Sequence, residues 1–572
     1  MKYRNLSLIL LSNTFACPLA WGQANFDIHA QGGLGTAQSA LGADAKFKID
    51  KVTLKARFDM EGVDRENLNQ SEDKNFTLLR NGANYESRQE VEYKGLTLKG
   101  GLGLDYQINE QHKLEIEGSF DGQRHEGEGT RTEEFPNANT VSLIKTDIDI
   151  KQHDLNKTKL GAAYTYRTRR NGESLRVEYS ADMLRADNNI EELENYPHVS
   201  ASNKGNVLNS FVQQEDETRQ QAGFTWVRPL AEGQKLTAGF RFEDTHFETD
   251  ELQEIGKERE AEQFDYRNTA HIYRLGYEFR KGKIMANAQL DYMNTHQQTA
   301  DKKVNTKLDD FVPMAMFRYQ LNKEQALMAR YGMRLFRPSL AQLNPFRRQV
   351  THTLTYGNQE LRGMHANNIA LVYQLNREAV QFSATVSHIW CNDGFNALWS
   401  QQGTDIDNTL FVYTWGNEGK RRAYSFEPQV KWQVCQQTSL DARATLMWDK
   451  RIAETISMDK EHWGINAQIG VNQQFDKCFL FNAHASYAEG NTVDLYSHEA
   501  RSYKIGTFLN YKTEDGAIEA RVAYDYAVRP QLVITQGVNP EQCHIPAYGW
   551  VGNQYVRPNS RHNLLASITY HF

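Results

Sequence analysis

Residues 334–365 concentrate the side chains of this sequence that are best suited to holding a ligand. Arginine can bind a carboxylate or phosphate through two parallel hydrogen bonds, and aromatic rings can stack on an arginine or a sugar. The candidates, with one tryptophan that follows later in the chain, are Arg334, Arg337, Asn344, Phe346, Arg347, Arg348, Tyr356 and Trp399. This set predicts a contact site for an anionic or sugar ligand. The alternative is structural, with Pro338 and Pro345 shaping the segment and the arginines pairing with acidic side chains.

Two other groups of residues could take part in recognition at a surface. Trp390, Trp399 and Trp415 could stack on a sugar, or they could anchor the chain where a membrane meets water. The run from Glu243 to Glu262 is strongly acidic and could attract cations or bridge lipopolysaccharide through divalent ions. The simpler expectation for this run is a solvated loop, since charged stretches usually face water.

The sequence predicts no enzyme, no cofactor and no metal site. It lacks the G-x-S-x-G and H-E-x-x-H patterns and a glycine-rich phosphate loop. The cysteines beyond the amino-terminal region lack C-x-x-C spacing and are Cys391, Cys435, Cys478 and Cys543. Cys435 and Cys478 each lie beside a predicted turn, so they either form a bridge or remain free thiols. The formal charge of −7 over 572 residues, without a basic stripe, argues against a nucleic-acid partner.

The composition and the apolar patterning predict strands rather than membrane helices. Hydrophobic residues make up 40% of the chain and the mean hydropathy is −0.68. No apolar run approaches the roughly 18 residues of a spanning helix. Apolar and polar residues instead alternate with period two, as over 236–242, 284–292, 440–448 and 518–526. The last ten residues alternate in the same way and end on Phe572, a terminal strand typical of outer-membrane barrels.

Short and long connections alternate strictly along the chain, which favours a transmembrane barrel over a β-sandwich. Short turns are predicted near 50–51, 109–112, 170–172, 230–233, 280–282, 321–324, 376–378, 435–438, 475–478 and 513–516. Long connections are predicted near 62–82, 121–140, 187–204, 248–263, 297–309, 336–365, 392–408, 450–461, 489–500 and 528–559. Barrels place the short turns in the periplasm and the long loops outside, with the apolar face toward lipid and the charged face toward a wet lumen.

The predicted fold is therefore all-β, a transmembrane antiparallel barrel of about 22 strands, with a range of roughly 20 to 24. Ten hairpins supply most of these strands, and the terminal strand adds one. An initial strand near 26–30, followed by a long connection from Gly32 to Gly42, makes the number even. An even number lets the last strand close against the first.

The first residues resemble a secretory signal peptide. Lys2 and Arg4 supply positive charge, Leu6–Leu11 forms a short apolar core, and Gly22-Gln23-Ala24 provides small residues for cleavage. We expect a signal peptide over residues 1–24 and an outer-membrane barrel domain over residues 25–572. Since the first strand would follow the cleavage point directly, no plug domain is expected between them.

Three stretches resemble the barrel of TonB-dependent receptors, in the Bacteroidetes-type outer-membrane β-barrel family. Residues 103–118 resemble its early hairpin. Residues 330–346 and 356–361 carry an R-P-S…L-N-P…G-N-x-x-L run, and residues 415–427 carry an N-x-G…E strand. The resemblance covers nearly the whole chain after the signal peptide. We expect no counterpart of the amino-terminal plug and coupling box of such receptors in this sequence.

The resemblance implies binding or transport of a nutrient across the outer membrane. The alternatives are a non-transporting surface barrel, an adhesin or scaffold with a filled lumen, or the barrel half of a split receptor. The expected partners are outer-membrane lipid and lipopolysaccharide, the barrel-assembly machinery acting on the carboxy-terminal strand, and a separate plug or TonB-type protein.

Overall fold

The computed structural model describes residues 25–35, 38–64, 70–78, 84–134, 143–169, 172–196, 207–350, 353–402, 410–454, 458–490, 497–499, 501–529, 533–535, 550–558 and 562–571. The predicted signal peptide, Cys543 and Phe572 lie outside these residues. Within this part of the chain, no helix is long and apolar enough to cross a membrane.

Antiparallel strands make up nearly all of the described structure, with one short helix. The strands are β1 Asn25–Gly35, β2 Gln38–Ile49, β3 Val52–Asp64, β4 Gln70–Leu78, β5 Asn84–Gln107, β6 His112–Glu134, β7 Leu143–Arg167, β8 Ser174–Asn195, β9 Val207–Ala231, β10 Gln234–Ile255, β11 Glu258–Lys281, β12 Ile284–Thr299, β13 Asn305–Gln320, β14 Gln325–Phe336, β15 Arg348–Val350, β16 Thr353–Thr355, β17 Met364–Asn376, β18 Val380–Cys391, β19 Asn396–Gln402, β20 Leu410–Gly416, β21 Lys420–Gln433, β22 Thr438–Ala453, β23 Met458–Gln474, β24 Phe479–Glu489, β25 Ser497–Glu499, β26 Ser502–Lys512, β27 Ile518–Arg529, β28 Val533–Thr535, β29 Trp550–Pro558 and β30 His562–His571. The helix α1 is Leu340–Leu343.

The last strand of the large sheet pairs with its first strand, so the sheet closes into a ring. The sheet contains 24 strands, and two of them stand outside the ring: β4 pairs with β5, and β29 pairs with β4. The remaining 22 each pair with two neighbours, in the order β1, β2, β3, β5 to β14, β17, β18, β21 to β24, β26, β27 and β30. β30 pairs with β27 on one side and with β1 on the other, from His29 opposite His571 to Gly35 opposite Leu565. The predicted barrel class and its even strand number are confirmed.

The ten predicted short turns fall between consecutive paired strands. Asp50 has a positive φ of 49° in the β2–β3 turn, and Gly233, Gly282 and Gly516 have positive φ in three others. That backbone conformation favours glycine because it has no Cβ to clash. These turns place all of their strand ends on one side, which is the periplasmic side in such barrels.

The long connection predicted from Gly32 to Gly42 is wrong. The described residues of this range, 32–35 and 38–42, belong to two paired strands, β1 and β2, and Gly32 lies opposite Leu41 in their register. Glycine lowers strand propensity, yet its backbone donates and accepts ladder hydrogen bonds as any other residue does. Pairing of β1 with both β2 and β30 outweighs that weak preference.

Many of the predicted long loops are instead continuations of strands. β5 to β11 are 22 to 25 residues long, whereas about 9–11 residues suffice to cross the bilayer. Residues 121–134, 187–195 and 248–255 therefore belong to walls that rise beyond the membrane. The sequence did not distinguish these from loops because both of their faces carry polar side chains.

The two faces of the wall differ as the alternation predicts. Near the periplasmic turns, outward side chains are apolar and exposed, including Phe224, Tyr273, Leu275, Leu290 and Phe317. Lumen-facing neighbours are charged and paired: Arg274 donates to Asp291 at 2.8 Å and Arg176 to Glu115 at 2.6 Å. The apolar belt faces lipid and the charged face lines the lumen.

Candidate functional site

The candidate site lies on the lumen face of the wall, above the lipid-facing belt. On β10, Arg241 and Glu243 face the lumen, and alternation carries the same face to Phe247 and Glu251. The pairing of β10 with β11 has no register shift, so the face does not switch. Glu251 is 17 residues beyond the periplasmic end of the strand at Gln234, well past the span that crosses a bilayer.

The segment 337–363, the inner loop, crosses this lumen face. It begins where β14 ends. Arg337 Nη2 donates to Thr295 Oγ1 of β12 at 2.6 Å, and Nη1 donates to Asn268 Oδ1 of β11 at 3.4 Å. Farther along, the Phe346 ring lies 6.1 Å from that of Phe211 on β9. The inner loop thus runs from β14 to β9 across the inside of the wall.

An apolar cluster holds the inner loop to the wall. Leu343 and Leu361 of the loop pack with three buried rings of β10 and β11, Phe247, Phe264 and Tyr266. The side chain of Phe247 is only 1% exposed. Apolar burial of this extent stabilises the docked loop by roughly 1.5–3 kcal/mol for each large side chain.

Local hydrogen bonds fix the shape of the loop. Ser339 and Gln342 form a capping box at the start of α1, with each side chain bonded to the other's backbone. Gly357 N donates to Asn344 O at 2.7 Å, and a Cβ at Gly357 would lie only 2.5 Å from that oxygen. The R-P-S, L-N-P and G-N-x-x-L residues therefore build one compact fold of the loop.

Glu251 is the central hydrogen-bond acceptor of the contact. Its Oε2 accepts from Asn344 Nδ2 at 3.0 Å, and its Oε1 accepts from Gln213 Nε2 at 2.6 Å. Burial raises the pKa of Glu251 to about 7, although these two donors and Arg348 oppose the shift. A buried carboxyl of the wall thus binds the predicted site residue Asn344.

A second polar contact is made by Gln253, two residues beyond Glu251 on the same face of β10. Gln253 of β10 accepts from Gln349 N at 2.8 Å and also donates to the Gln349 carbonyl. The same carbonyl accepts from Asn209 Nδ2 of β9 at 3.2 Å. Because buried backbone groups are costly when unpaired, these side chains substitute for a strand partner.

The remaining predicted arginines have a different environment. Arg347 is exposed, and its guanidinium lies 5.1 Å from the centre of the Tyr356 ring. The Arg348 guanidinium lies 4.1 Å from the centre of the Phe211 ring, and its buried Nε has no hydrogen-bond partner. Arg334, on β14, is exposed. Among the described residues none of these three forms an ion pair, unlike Arg131, which pairs with Glu192 at 3.0 Å.

A second outer connection joins the inner loop. β19 and β20 form a hairpin, and β20 pairs in parallel with β16, giving a four-stranded sheet in the order β15-β16-β20-β19. Asn358 Nδ2 donates to the Trp415 carbonyl at 2.9 Å, and Trp415 packs against the apolar cluster. Trp399 lies on β19 opposite Tyr413, and only its backbone is described.

The structure separates the three tryptophans. Trp415 packs with the inner loop, whereas Trp390 on β18 stacks with His388, with ring centres 5.0 Å apart.

The predicted solvated loop at 243–262 is wrong, since those residues are strand on both sides of a turn at Gly256 and Lys257. Buried and more exposed positions alternate along 247–253, because one face of β10 packs on the inner loop. Among the described cysteines, Cys391, Cys435 and Cys478 are free thiols.

Sequence reasoning missed the wall residues of this contact. Phe247, Glu251 and Gln253 of β10 were overlooked as partners of the loop, although their period-two spacing with Arg241 was a usable signal. Asn209 was also overlooked, and it lies on the neighbouring strand β9. Within the described residues, no group of His, Cys, Asp and Glu side chains is arranged to hold a metal ion. The arrangement holds a loop in place and presents arginines to the lumen.

Comparisons with known proteins agree with this fold. The sequence profile of the outer membrane protein beta-barrel family matches residues 166–525. A search of curated proteins finds no match.

Solved structures with the same fold include the copper transporter OprC, at 12% identity and a TM-score of 0.61 over 97% of this chain and 84% of that one. The ferric yersiniabactin uptake receptor FyuA from Yersinia pestis is 10% identical, with a TM-score of 0.59 over 96% and 80%. The ferric preacinetobactin receptor BauA from Acinetobacter baumannii is 9% identical, with a TM-score of 0.58 over 96% and 81%.

The resemblance to the barrel of TonB-dependent receptors is confirmed, and the narrower Bacteroidetes-type assignment stays a prediction. Since the family profile matches more than half of the sequence, this chain belongs to the outer membrane protein beta-barrel family and resides in the cell outer membrane.

Proposed function

We propose that this barrel binds an anionic solute at its outer mouth and passes it through the polar lumen, as a nutrient-uptake protein without catalytic activity. The observation that carries the proposal is a set of three arginines, Arg334, Arg347 and Arg348, that form no ion pair with any described residue. Several other lumen arginines pair with carboxylates, such as Arg274 with Asp291 and Arg421 with Asp449.

The electrostatics of Arg348 support an anionic ligand. Burial lowers the pKa of its guanidinium, and Glu192 and Glu251 oppose that shift only from a distance. A buried cation without a paired anion is unfavourable. A carboxylate or phosphate bound there would relieve this cost through charge-assisted hydrogen bonds. Arg347 and Tyr356 would complete the contact by a second charge and a ring face.

The remaining predicted contact residues would act indirectly. Arg337, Asn344 and Phe346 are engaged with the wall, so their part in binding would be to hold the inner loop. Trp399 would contribute a ring from β19, next to Tyr413 in the ladder.

Binding of a tricarboxylate probe tests this proposal. Titration of the purified barrel with citrate should show saturable binding. Arg348→Ala should weaken that binding by about tenfold or more, because one charge-assisted hydrogen bond contributes roughly 1.5–3 kcal/mol. Arg347→Ala should act in the same direction.

Arg377→Ala is the matched control, since Arg377 lies beside a periplasmic turn and pairs with Glu324 at 2.9 Å. It should leave citrate binding unchanged. Equal affinity in the wild type and in Arg348→Ala would contradict the anionic site, and binding of neutral maltose instead would favour a sugar ligand.

A second candidate function is a surface barrel with a filled lumen, an adhesin or scaffold. It is favoured by the four-stranded sheet β15-β16-β20-β19, which two outer connections build against the lumen face. In this case the inner loop would fill the lumen permanently and would not move. Conductance of the wild-type barrel in a planar bilayer separates the two candidates: a measurable current favours passage through the lumen, and a silent bilayer favours a filled lumen.

The proposed partners follow from the barrel itself. β30 closes the ring, so the assembly machinery would act on this strand. Lipopolysaccharide would contact the outer face above the apolar belt. A separate plug or a TonB-type protein would be needed if transport is energised from the periplasmic side.

A further inference from the structure

The wall of the barrel is split between β13 and β14. These strands pair from Gln320 opposite Ala326 up to Met314 opposite Gly332, and the pairing stops there. β13 continues to Asn305 and β14 to Phe336, both within the described stretch 207–350. Residues 305–313 and 333–336 therefore form two facing edges without a shared ladder.

The neighbouring strand pairs remain joined at the same height. β12 stays paired with β13 as far as Gln298 opposite Asn305. β14 stays paired with β17 as far as Phe336 opposite Met364. Each lip of the split is therefore supported on its outer side, so the opening is a property of the β13–β14 seam alone.

The split begins within the membrane. Met314 lies six residues above the periplasmic end of β13 at Gln320, which is about 15 Å along the barrel axis for a tilted strand. The apolar belt of such barrels is about 25 Å tall. Phe311 and Phe336 on the two lips are exposed. Unpaired backbone groups facing hydrocarbon are costly, so polar partners are required there.

An apolar groove lies directly below the split on the lipid-facing side. It has a volume of about 370 Å³, and its floor is formed by small residues of β12, β13 and β14, Ala286, Ala288, Ala315 and Ala329. Phe317, Tyr331 and Ile369 form its sides. Ala315 pairs with Tyr331 one position below the last pair, so the groove leads into the split.

We propose that the groove and the split form a binding site for one membrane phospholipid. The acyl chain lies along the alanine floor, continuous with the lipid that surrounds the belt. The ester groups at its upper end hydrogen-bond the unpaired edges of β13 and β14. A lipid alone supplies both parts, since the groove is apolar and the edges above it are polar.

A side-chain contact between β17 and β13 spans the split, in addition to the bonds of Arg337 with β11 and β12. His365 Nε2 of β17 lies 2.9 Å from Asp310 Oδ1 of β13. The two strands are separated in the ring by β14, so the contact limits how far the lips can part. The lipid site is therefore a bounded cleft rather than an open breach into the lumen.

Lipid retention tests the proposal. The purified barrel is delipidated by detergent exchange, incubated with dipalmitoyl phosphatidylcholine and examined by native mass spectrometry. The wild type should retain a single lipid. Ala288→Trp and Ala315→Trp, which fill the groove, should lose it.

Ala444→Trp is the control, because Ala444 occupies the lipid-facing side of β22 away from the groove. It should retain the lipid as the wild type does. Heat-modifiable gel mobility establishes that each variant is folded. Retention by the groove-filling variants equal to that of the wild type would overturn the proposal. Retention of free palmitate in place of the phospholipid would also overturn it.

Engineered disulfides test the split independently. Met316 lies opposite Arg330 in the ladder, so the pair Met316→Cys and Arg330→Cys should cross-link under mild oxidation. Val312→Cys and Arg334→Cys lie four residues higher on each strand, where the ladder is absent, and should not cross-link. Equal cross-linking of the two pairs, in a background without native cysteines, would show that the seam is closed.

Discussion

At the scale of single residues, Glu251 links the wall to the inner loop. It is buried, and it accepts hydrogen bonds from Asn344 of the loop and from Gln213 of β9. The sequence places Glu251 in an acidic run, where it resembles its solvated neighbours. Its burial depends on which face of β10 meets the loop, and this is set by contacts distant in the sequence.

The raised pKa of Glu251 predicts a pH-dependent loop. Burial raises the pKa from the usual 4.5 to about 7 when the loop is docked. Proton binding therefore favours the docked state. Docking is strongest below about pH 4.5 and weakens as the pH rises to about 7. Between these two values the carboxyl of Glu251 ionises when the loop is released but stays mostly protonated when the loop is docked.

Hydrogen exchange of the amides of residues 340–350 measures this docking. Their protection, corrected for the intrinsic exchange rate, should fall between pH 5 and pH 8 in the wild type. Glu251→Gln keeps the shape and cannot ionise, so its protection should be independent of pH. A wild type with flat protection would contradict the assignment of Glu251 as the titrating group.

At the scale of elements, the short turns and the period-two strands were predictable from the sequence. The lengths by which the strands extend beyond the membrane were not. The turns carry local signals such as Gly233 and Gly516. Alternation identifies a strand only while one face is consistently apolar, and above the membrane polar side chains occur on both faces of β5 to β11. The inward folding of 337–363 could not be predicted either, because the sequence does not indicate that Leu343 and Leu361 pack against β10 and β11.

The apolar cluster predicts a measurable cost for loop truncation. Leu343→Ala removes a buried side chain that packs with Phe247 and Phe264. It should weaken docking by about 2–5 kcal/mol. Trypsin cleavage after the exposed Arg347, in detergent micelles, should become faster.

Leu275→Ala provides the comparison, since Leu275 is exposed on the lipid-facing side of β11. Its cleavage rate should match that of the wild type. If Leu343→Ala were cut no faster than Leu275→Ala, the cluster would not be what holds the loop.

At the scale of the whole molecule, 22 strands enclose a lumen wide enough to require closure. The even number followed from the alternating connections, and pairing of β30 with β1 confirms it. The sequence did not reveal what occupies the outer half of the lumen. Two outer connections fold back against the wall there, and a small parallel pairing of β16 with β20 joins them.

The inner loop narrows this lumen, and planar-bilayer conductance tests that narrowing most directly. Phe336 and Met364 are ladder partners, so a short Gly-Ser linker can replace residues 338–362 without moving β14 or β17. The wild type should show a small conductance, and the loop-deleted variant a large and steady one. Equal conductance of the two proteins would contradict the account.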